Sequence, residues 1–123
     1  MRKRKLIIIP AYNESACIEK TVKDIQKYAP EFDYVVINDC STDNTREICE
    51  QHGFHLINLP VNLGIGGAVQ TGYLYGYRNG YEMAVQVDGD GQHDPAFLKE
   101  MAEILEKEGL DMVIGSRFIE KKG

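Results

Sequence analysis

The sequence is short of most features that would assign it quickly. Three cysteines (Cys17, Cys40 and Cys49) cannot all pair, and their spacing fits no zinc pattern, so a disulfide scaffold and a zinc module are both set aside. Reduced thiols in a cytosolic protein are the expectation. Positive charge is in deficit. Fourteen Lys and Arg stand against nineteen Asp and Glu, a formal net charge of −5, which argues against a broad nucleic-acid surface. Long hydrophobic runs are missing as well. Behind the basic lead-in Met1-Arg2-Lys3-Arg4-Lys5, the apolar stretch Leu6 to Ile9 stops at Pro10, too short for a signal h-region or a membrane span. The basic residues allow only peripheral attraction to an anionic membrane. No internal repeat or linker divides the 123 residues, so they form one domain at most.

What is present reads as strands and helices in alternation. Leu6-Ile7-Ile8-Ile9 is apolar throughout, as in a strand buried on both faces, and Pro10 is expected to end it. Asn13-Glu14-Ser15 offers a helix cap, and Ile18, Val22, Ile25 and Ala29 then repeat at helical spacing up to Pro30. Tyr34 to Ile37 is a second strand, followed by the polar cluster Asn38 to Asp43. A second helix carries Ile48 and Cys49 inward and stops at Gly53. Phe54 to Leu59 is a third strand closed by Pro60. From Asn62 to Gly80, Ala68, Gly72, Gly76 and Gly80 lie four apart as one smooth ridge, with Tyr73, Tyr77 and Tyr81 as its neighbour. Glycine is costly inside a helix, so tight packing of this face against the sheet is expected. Glu82 to Val87 is a fourth strand. A capped helix starts at Asp94-Pro95, with Phe97, Leu98, Met101, Ile104 and Leu105 on one face, and Met112 to Ile114 is a fifth strand. The fold class is therefore α/β, a three-layer sandwich with a mostly parallel sheet.

In such sheets ligands bind beyond the carboxyl ends of the strands. Polar residues fall there: Tyr12 and Glu14 after the first strand, Asp39 after the second, Asp88 and Asp90 after the fourth, Arg117 after the fifth. Asp88 and Asp90 lie two apart in an extended segment, so both can aim at one hard cation, Mg²⁺ or Mn²⁺. The blander account of that pair is a solvated turn, and Arg117 has an equally bland one as a surface residue. Asp39 could instead cap the second helix, although Asp43 is better placed to do so. His93 is expected to shape its loop, and His52 and His55 to be surface or strand residues. An EF-hand beginning at Asp88 fails, with His93 and Lys99 where glycine and glutamate belong. Gly64-Ile65-Gly66 fails as a dinucleotide fingerprint, since Val69 stands at the third glycine. A phosphatase would place its aspartates on the first strand. A nucleotidyltransferase would show a glycine-rich basic signature there.

Taken together, these stretches resemble the inverting family 2 glycosyltransferases of the GT-A (Rossmann-like) fold. The matching segments are Ile9 to Glu14, Val36 to Asp43, Asn62-Leu63-Gly64 with Gly66-Gly67-Ala68, Asp88 to Pro95, and Gly115 to Phe118. Asp88-Gly89-Asp90-Gly91-Gln92-His93 is most similar to the branch of dolichyl- and polyprenyl-phosphate sugar synthases. The resemblance implies that Pro10, Tyr12 and Glu14 lie along the donor's base and ribose and that Asp39 recognises the base. It implies a metal held by Asp88 and Asp90 with Gln92 as third contact, and Arg117 near the phosphates, with Asp90 and Arg117 as the catalytic pair. The implied donor is a UDP- or GDP-sugar, and the implied acceptor a lipid phosphate or a growing cell-surface glycan, at the cytoplasmic side of the membrane. Two departures stand out. Cys40 occupies a position where the family often has glycine. The chain also ends at Gly123, where family members continue into an acceptor-binding half that often carries the catalytic base. The expectation is a truncated donor half, with a non-catalytic nucleotide-sugar binding module as the alternative.

Overall fold

The computed structural model describes residues 5–87 and Glu100. Lys5–Ala11 form strand β1, whose seven residues are all buried. Alternate side chains enter different cores, as strand geometry requires. Ile7, Ile9 and Ala11 face one, with Ile18, Val22 and Ile25, while Leu6 and Ile8 face the other, with Val35, Ile37 and Ala68. Leu6, Ile7, Ile8 and Ile9 are fully buried, each contributing about 1.5–3 kcal/mol by the usual transfer estimate.

Chain order then builds the layers. Helix α1 (Ile18–Tyr28) leads to β2 (Asp33–Asn38), helix α2 (Thr45–His52) to β3 (Leu56–Asn58), and helix α3 (Gly64–Arg78) to β4 (Met83–Gln86). Every pairing is parallel, in the order β3-β2-β1-β4. The chain steps outward from β1 through β2 to β3, then crosses back to β1's other edge. Right-handed crossovers put helices from opposite stepping directions on opposite faces. Accordingly α1 and α2 pack on one core, and α3 on the other. The strand order reverses at β1, and sheets of this kind hold ligands beyond the carboxyl ends of the strands at such a reversal.

Several expectations need correction. Pro10 does not end β1, because the strand continues through Pro10, opposite Ile37, to Ala11, opposite Asn38. Residues along a parallel strand bond alternately to its two neighbours. Ala11's carbonyl accepts from Asp39 of the β2 side and Ile8's from Val87 of the β4 side, so Pro10's missing N–H falls on the β4 side, past the last paired residue there. Helix α1 starts later than a cap at Asn13 to Ser15 would place it. A turn comes first, in which the N–H groups of Cys17 and Ile18 both donate to Glu14's carbonyl. The regular part of β3 is only Leu56–Asn58, although His55 and Leu59 still bond to β2.

The glycine ridge packs as expected, with one exception. A Cβ on Gly72 would sit 2.3 Å from Ile8 Cγ2, and one on Gly76 would sit 3.1 Å from Leu6 Cδ2. Gly80 lies past the helix at φ +76°, where glycine turns the chain instead of packing. The tyrosine ridge dissolves too: Tyr77 is 76% exposed, and Tyr81, beyond the helix, is buried. Gly53 stops α2 in the left-handed conformation, as expected. Of the expected helix after Asp94, Glu100 is helical and exposed. The rest of that helix and the fifth strand at Met112 to Ile114 lie outside the described residues.

Candidate functional site

Three βα loops meet at the carboxyl edge of the sheet and are cross-linked there. Asp39 directly follows β2 and is buried. Its N–H donates to Ala11's carbonyl (2.9 Å), its Oδ1 accepts Leu63's N–H (2.7 Å), and its carbonyl accepts Asn62 Nδ2 (3.2 Å). Asn62 Oδ1 accepts the N–H of Gly64, whose φ of +78° lets the loop turn into α3. One buried aspartate thus ties the ends of β1 and β2 to the start of α3. Next to it, Cys40 adopts φ +58°, the left-handed conformation that costs a non-glycine residue about 1–2 kcal/mol. That is the position set apart above as one where glycine is common in the resembled family, and the backbone adopts a glycine-like turn despite the side chain.

A second set of bonds joins the β1–α1 loop to the β2–α2 loop. Asn13, also left-handed at φ +55°, accepts at Oδ1 from the N–H groups of Thr42 (2.8 Å) and Asp43 (3.2 Å), and its own N–H donates to Ser41 Oγ. Glu14's N–H donates to Thr45 Oγ1 (3.0 Å), and Ser15's N–H to Asp43 Oδ2 (3.2 Å). Asp43 Oδ1 accepts from the N–H and hydroxyl of Thr45. Burial alone would raise the Asp43 carboxyl, but the bonds from Thr45 and Ser15 outweigh it and hold the group down at about 2. Asp43 therefore serves the start of α2, as expected, leaving Asp39 with no capping role. A third link runs from Asn38, buried at the end of β2, whose Nδ2 donates to Asn58 Oδ1 (2.8 Å) while its own Oδ1 accepts from Ser41.

The structure brings together Pro10, Tyr12, Glu14 and Asp39 of the predicted site. Pro10 is buried in β1, Tyr12 is 47% exposed at the strand's exit, Glu14 is half-buried, and Asp39 lies beneath the β3–α3 loop. Asp88, Asp90, Gln92 and Arg117 lie outside the described residues, and β4 is followed to Val87, whose N–H donates to Ile8's carbonyl (2.9 Å). Among the described residues no group of three His, Cys, Asp or Glu side chains could hold a metal ion. Sequence reasoning gave the Asn62 side chain no role and read Asn13 only as part of a cap for its own helix, whereas both side chains bond the loops. The signal available was an asparagine inside each of two short loop motifs, where its amide can bond backbone in turns.

Three further features bear on function. A cleft of about 510 Å³ lined by Phe32, Asp33, Tyr34, His55 and Tyr81 opens at the amino edge of the sheet, the end opposite the polar mesh. Its polar tips are engaged, Tyr81's hydroxyl donating to Asp33 (2.6 Å) and Tyr75's bonding His55 Nε2 (3.3 Å). The size of that cleft is no reason to move the site, because the loops that vary with function lie at the other edge. The three cysteines are free, and burial pushes the Cys49 thiol up to about 11, as suits a core residue. Among the described residues no helix is long and apolar enough to cross a membrane.

Comparison with known proteins agrees with this architecture. The family model for glycosyl transferase family 2 matches residues 6–123. An undecaprenyl-phosphate mannosyltransferase from Micrococcus luteus is 34% identical over 119 residues, covering 93% of this chain and 48% of that protein. TarS of S. aureus, solved with UDP-GlcNAc, superposes with a TM-score of 0.68 at 25% identity, covering 86% of this chain and 32% of its own. The mannosyltransferase PcManGT from Pyrobaculum calidifontis, solved with GDP-Man and Mn²⁺, gives 0.58 at 28% identity, covering 73% of this chain and 28% of its own. The chain thus spans about half the length of the first curated relatives it matches. The fold is shared with these solved transferases, and the chain belongs to glycosyl transferase family 2.

Proposed function

We propose that this chain is the donor-binding half of an inverting, metal-dependent glycosyltransferase. It takes a sugar from a UDP- or GDP-sugar and passes it to a polyprenyl phosphate or a growing cell-surface glycan at the cytoplasmic face of a membrane. The observation that carries the reading is the carboxyl-edge mesh, in which Asp39, Tyr12 and Glu14 sit on loops tied into one unit where the strand order reverses at β1. Relatives that handle undecaprenyl phosphate, UDP-GlcNAc and GDP-Man with Mn²⁺ support it.

The roles follow from position. Pro10, Tyr12 and Glu14 flank the base and ribose, and Asp39 reads the base. Asp88 and Asp90, with Gln92, would hold the divalent cation, Mg²⁺ or Mn²⁺, which would supply positive charge to the two phosphates. Arg117 adds a fixed cation as charge builds on the leaving diphosphate, and a chain of net charge −5 needs such local compensation. An acceptor that is already a phosphate anion attacks the opposite face of the sugar with little need of a base.

Calorimetric titration of UDP- and GDP-sugars with and without Mn²⁺ tests the reading. Binding should depend on the metal and fall at least tenfold in Asp90→Ala. If no nucleotide binds and Asp90→Ala changes nothing, the metal site is wrong. Metal-dependent binding without sugar transfer or donor hydrolysis would favour a non-catalytic nucleotide-sugar binding module.

A further inference from the structure

Asn13 stands between Tyr12 and Glu14, with its backbone left-handed at φ +55°, a turn that asparagine tolerates better than most side chains. Its Oδ1 accepts from the N–H groups of Thr42 (2.8 Å) and Asp43 (3.2 Å) and from the Thr42 hydroxyl (3.3 Å). Backbone N–H groups only donate, so these bonds fix which end of the amide meets the β2–α2 loop. Asn13's own N–H donates to Ser41 Oγ (3.0 Å), and that hydroxyl donates in turn to Asn38 Oδ1 (2.6 Å) at the end of β2. One residue is therefore clamped, by backbone and by side chain, to the loop that follows Asp39.

Such bonds add little to the stability of the fold. Asn13 is exposed, and so are its bonds to Ser41, Thr42 and Asp43, where water replaces a lost partner. What water does not replace is the geometry. Without the clamp, the turn from Tyr12 to Glu14 has several conformations open to it, and a ligand must select one of them. We propose that Asn13 is a positioning residue of the donor site, setting Tyr12 and Glu14 against Asp39 without itself touching the nucleotide. This inference rests on the nucleotide-sugar reading above and adds a residue to it.

Asn13→Gly separates the two roles, because glycine keeps the left-handed turn and loses only the side-chain bonds. Each variant is titrated calorimetrically with UDP and GDP at one fixed Mn²⁺ concentration and melted in parallel. The nucleotide that the wild type binds should bind Asn13→Gly about tenfold more weakly, as when one turn conformation in about ten is competent. The melting temperature should move by less than about 5 °C. A double-mutant cycle with Tyr12→Ala reads what a merely structural role leaves alone. If Asn13 acts through Tyr12, the loss caused by Asn13→Gly should shrink by about threefold or more once Tyr12 is removed. Where Tyr12→Ala binds too weakly to measure, Glu14→Ala takes its place in the cycle. Equal losses in both backgrounds would make Asn13 structural and overturn the inference. Asn13→Gly binding as tightly as the wild type would overturn it too, while leaving the donor site standing. A wild type that binds no nucleotide would remove both. Should Asn13→Gly fail to fold, Ser41→Ala, which cuts the clamp from the other loop, decides alone. Affinity lowered by about threefold with the melt unchanged supports the positioning role, and unchanged affinity, or a loss that follows the melt, overturns it.

Discussion

Gly72→Ala should destabilise the protein although alanine is the better helix former. Gly72 lies inside α3, with no room above Ile8. An added Cβ would stand 2.3 Å from Ile8 Cγ2, 3.0 Å from Cγ1 and 3.2 Å from Cβ. Ile8 is fully buried in the central strand, and its branched carbon is fixed to backbone bonded on the β4 side, so it cannot retreat as a long side chain could. Overpacking of this kind costs about 1–3 kcal/mol, and a contact this short belongs at the upper end. Alanine's helix propensity returns about 1 kcal/mol. The net loss is about 2 kcal/mol by the same scales. Gly66→Ala supplies the control, since nothing lies within 4 Å of its added Cβ. It should stabilise by about 0.5–1 kcal/mol. Urea unfolding followed by circular dichroism measures both, read as midpoint shifts at constant m. The two variants should differ by about 2–3 kcal/mol. If they match, α3 is not seated on β1 as described, and the glycine ridge has another explanation.

Two other perturbations test the loops. Cys40→Gly should be tolerated or should stabilise by up to about 1 kcal/mol, because relief of the left-handed strain exceeds the added freedom of the unfolded chain. Clear destabilisation in a thermal melt would mean that the Sγ contact to Pro60's carbonyl outweighs the strain. Asp43 should lend stability that depends on acid. Its carboxyl lies near 2 in the fold against an ordinary 3.8, so its contribution is complete above about pH 4 and is lost as pH falls through 2. The shift sets a ceiling near 2.4 kcal/mol, which partial solvent exposure cuts to about 1 kcal/mol. Asp43→Asn should therefore be less stable than wild type at pH 7, and the gap should close near pH 2. A gap that persists there would locate Asp43's effect in something other than its charge.

The layers of the fold were legible because β1 and the helices carry period-specific apolar patterns, and the position of Tyr12, Glu14 and Asp39 at the carboxyl edge was legible because they directly follow β1 and β2. Pro10 misled because the rule that proline breaks a strand holds only where the missing N–H would have been paired, and pairing depends on neighbouring strands. Asn13 was read as the opening of a cap for its own helix, but its side chain serves the loop after β2 instead. A residue's choice between local and distant backbone partners depends on loop positions set by the whole sheet. Gly80 fitted a four-residue repeat by number alone. The helix ended at Arg78, and the fourth glycine of the series was left to make a turn.

The bolts at the carboxyl edge have a consequence for how this chain assembles. Asn13 with Thr42, Glu14 with Thr45, Asn38 with Asn58, and Leu63 with Asp39 are joined across 20 to 31 residues of sequence. No single βα unit can form such a site alone. It exists only after three units have docked on the sheet, so its geometry comes late and depends on all of them. Any ligand held there favours the fully assembled chain over partly opened forms, and therefore stabilises elements it never touches. Occupancy of this edge and integrity of the sheet are thus one equilibrium seen from two ends.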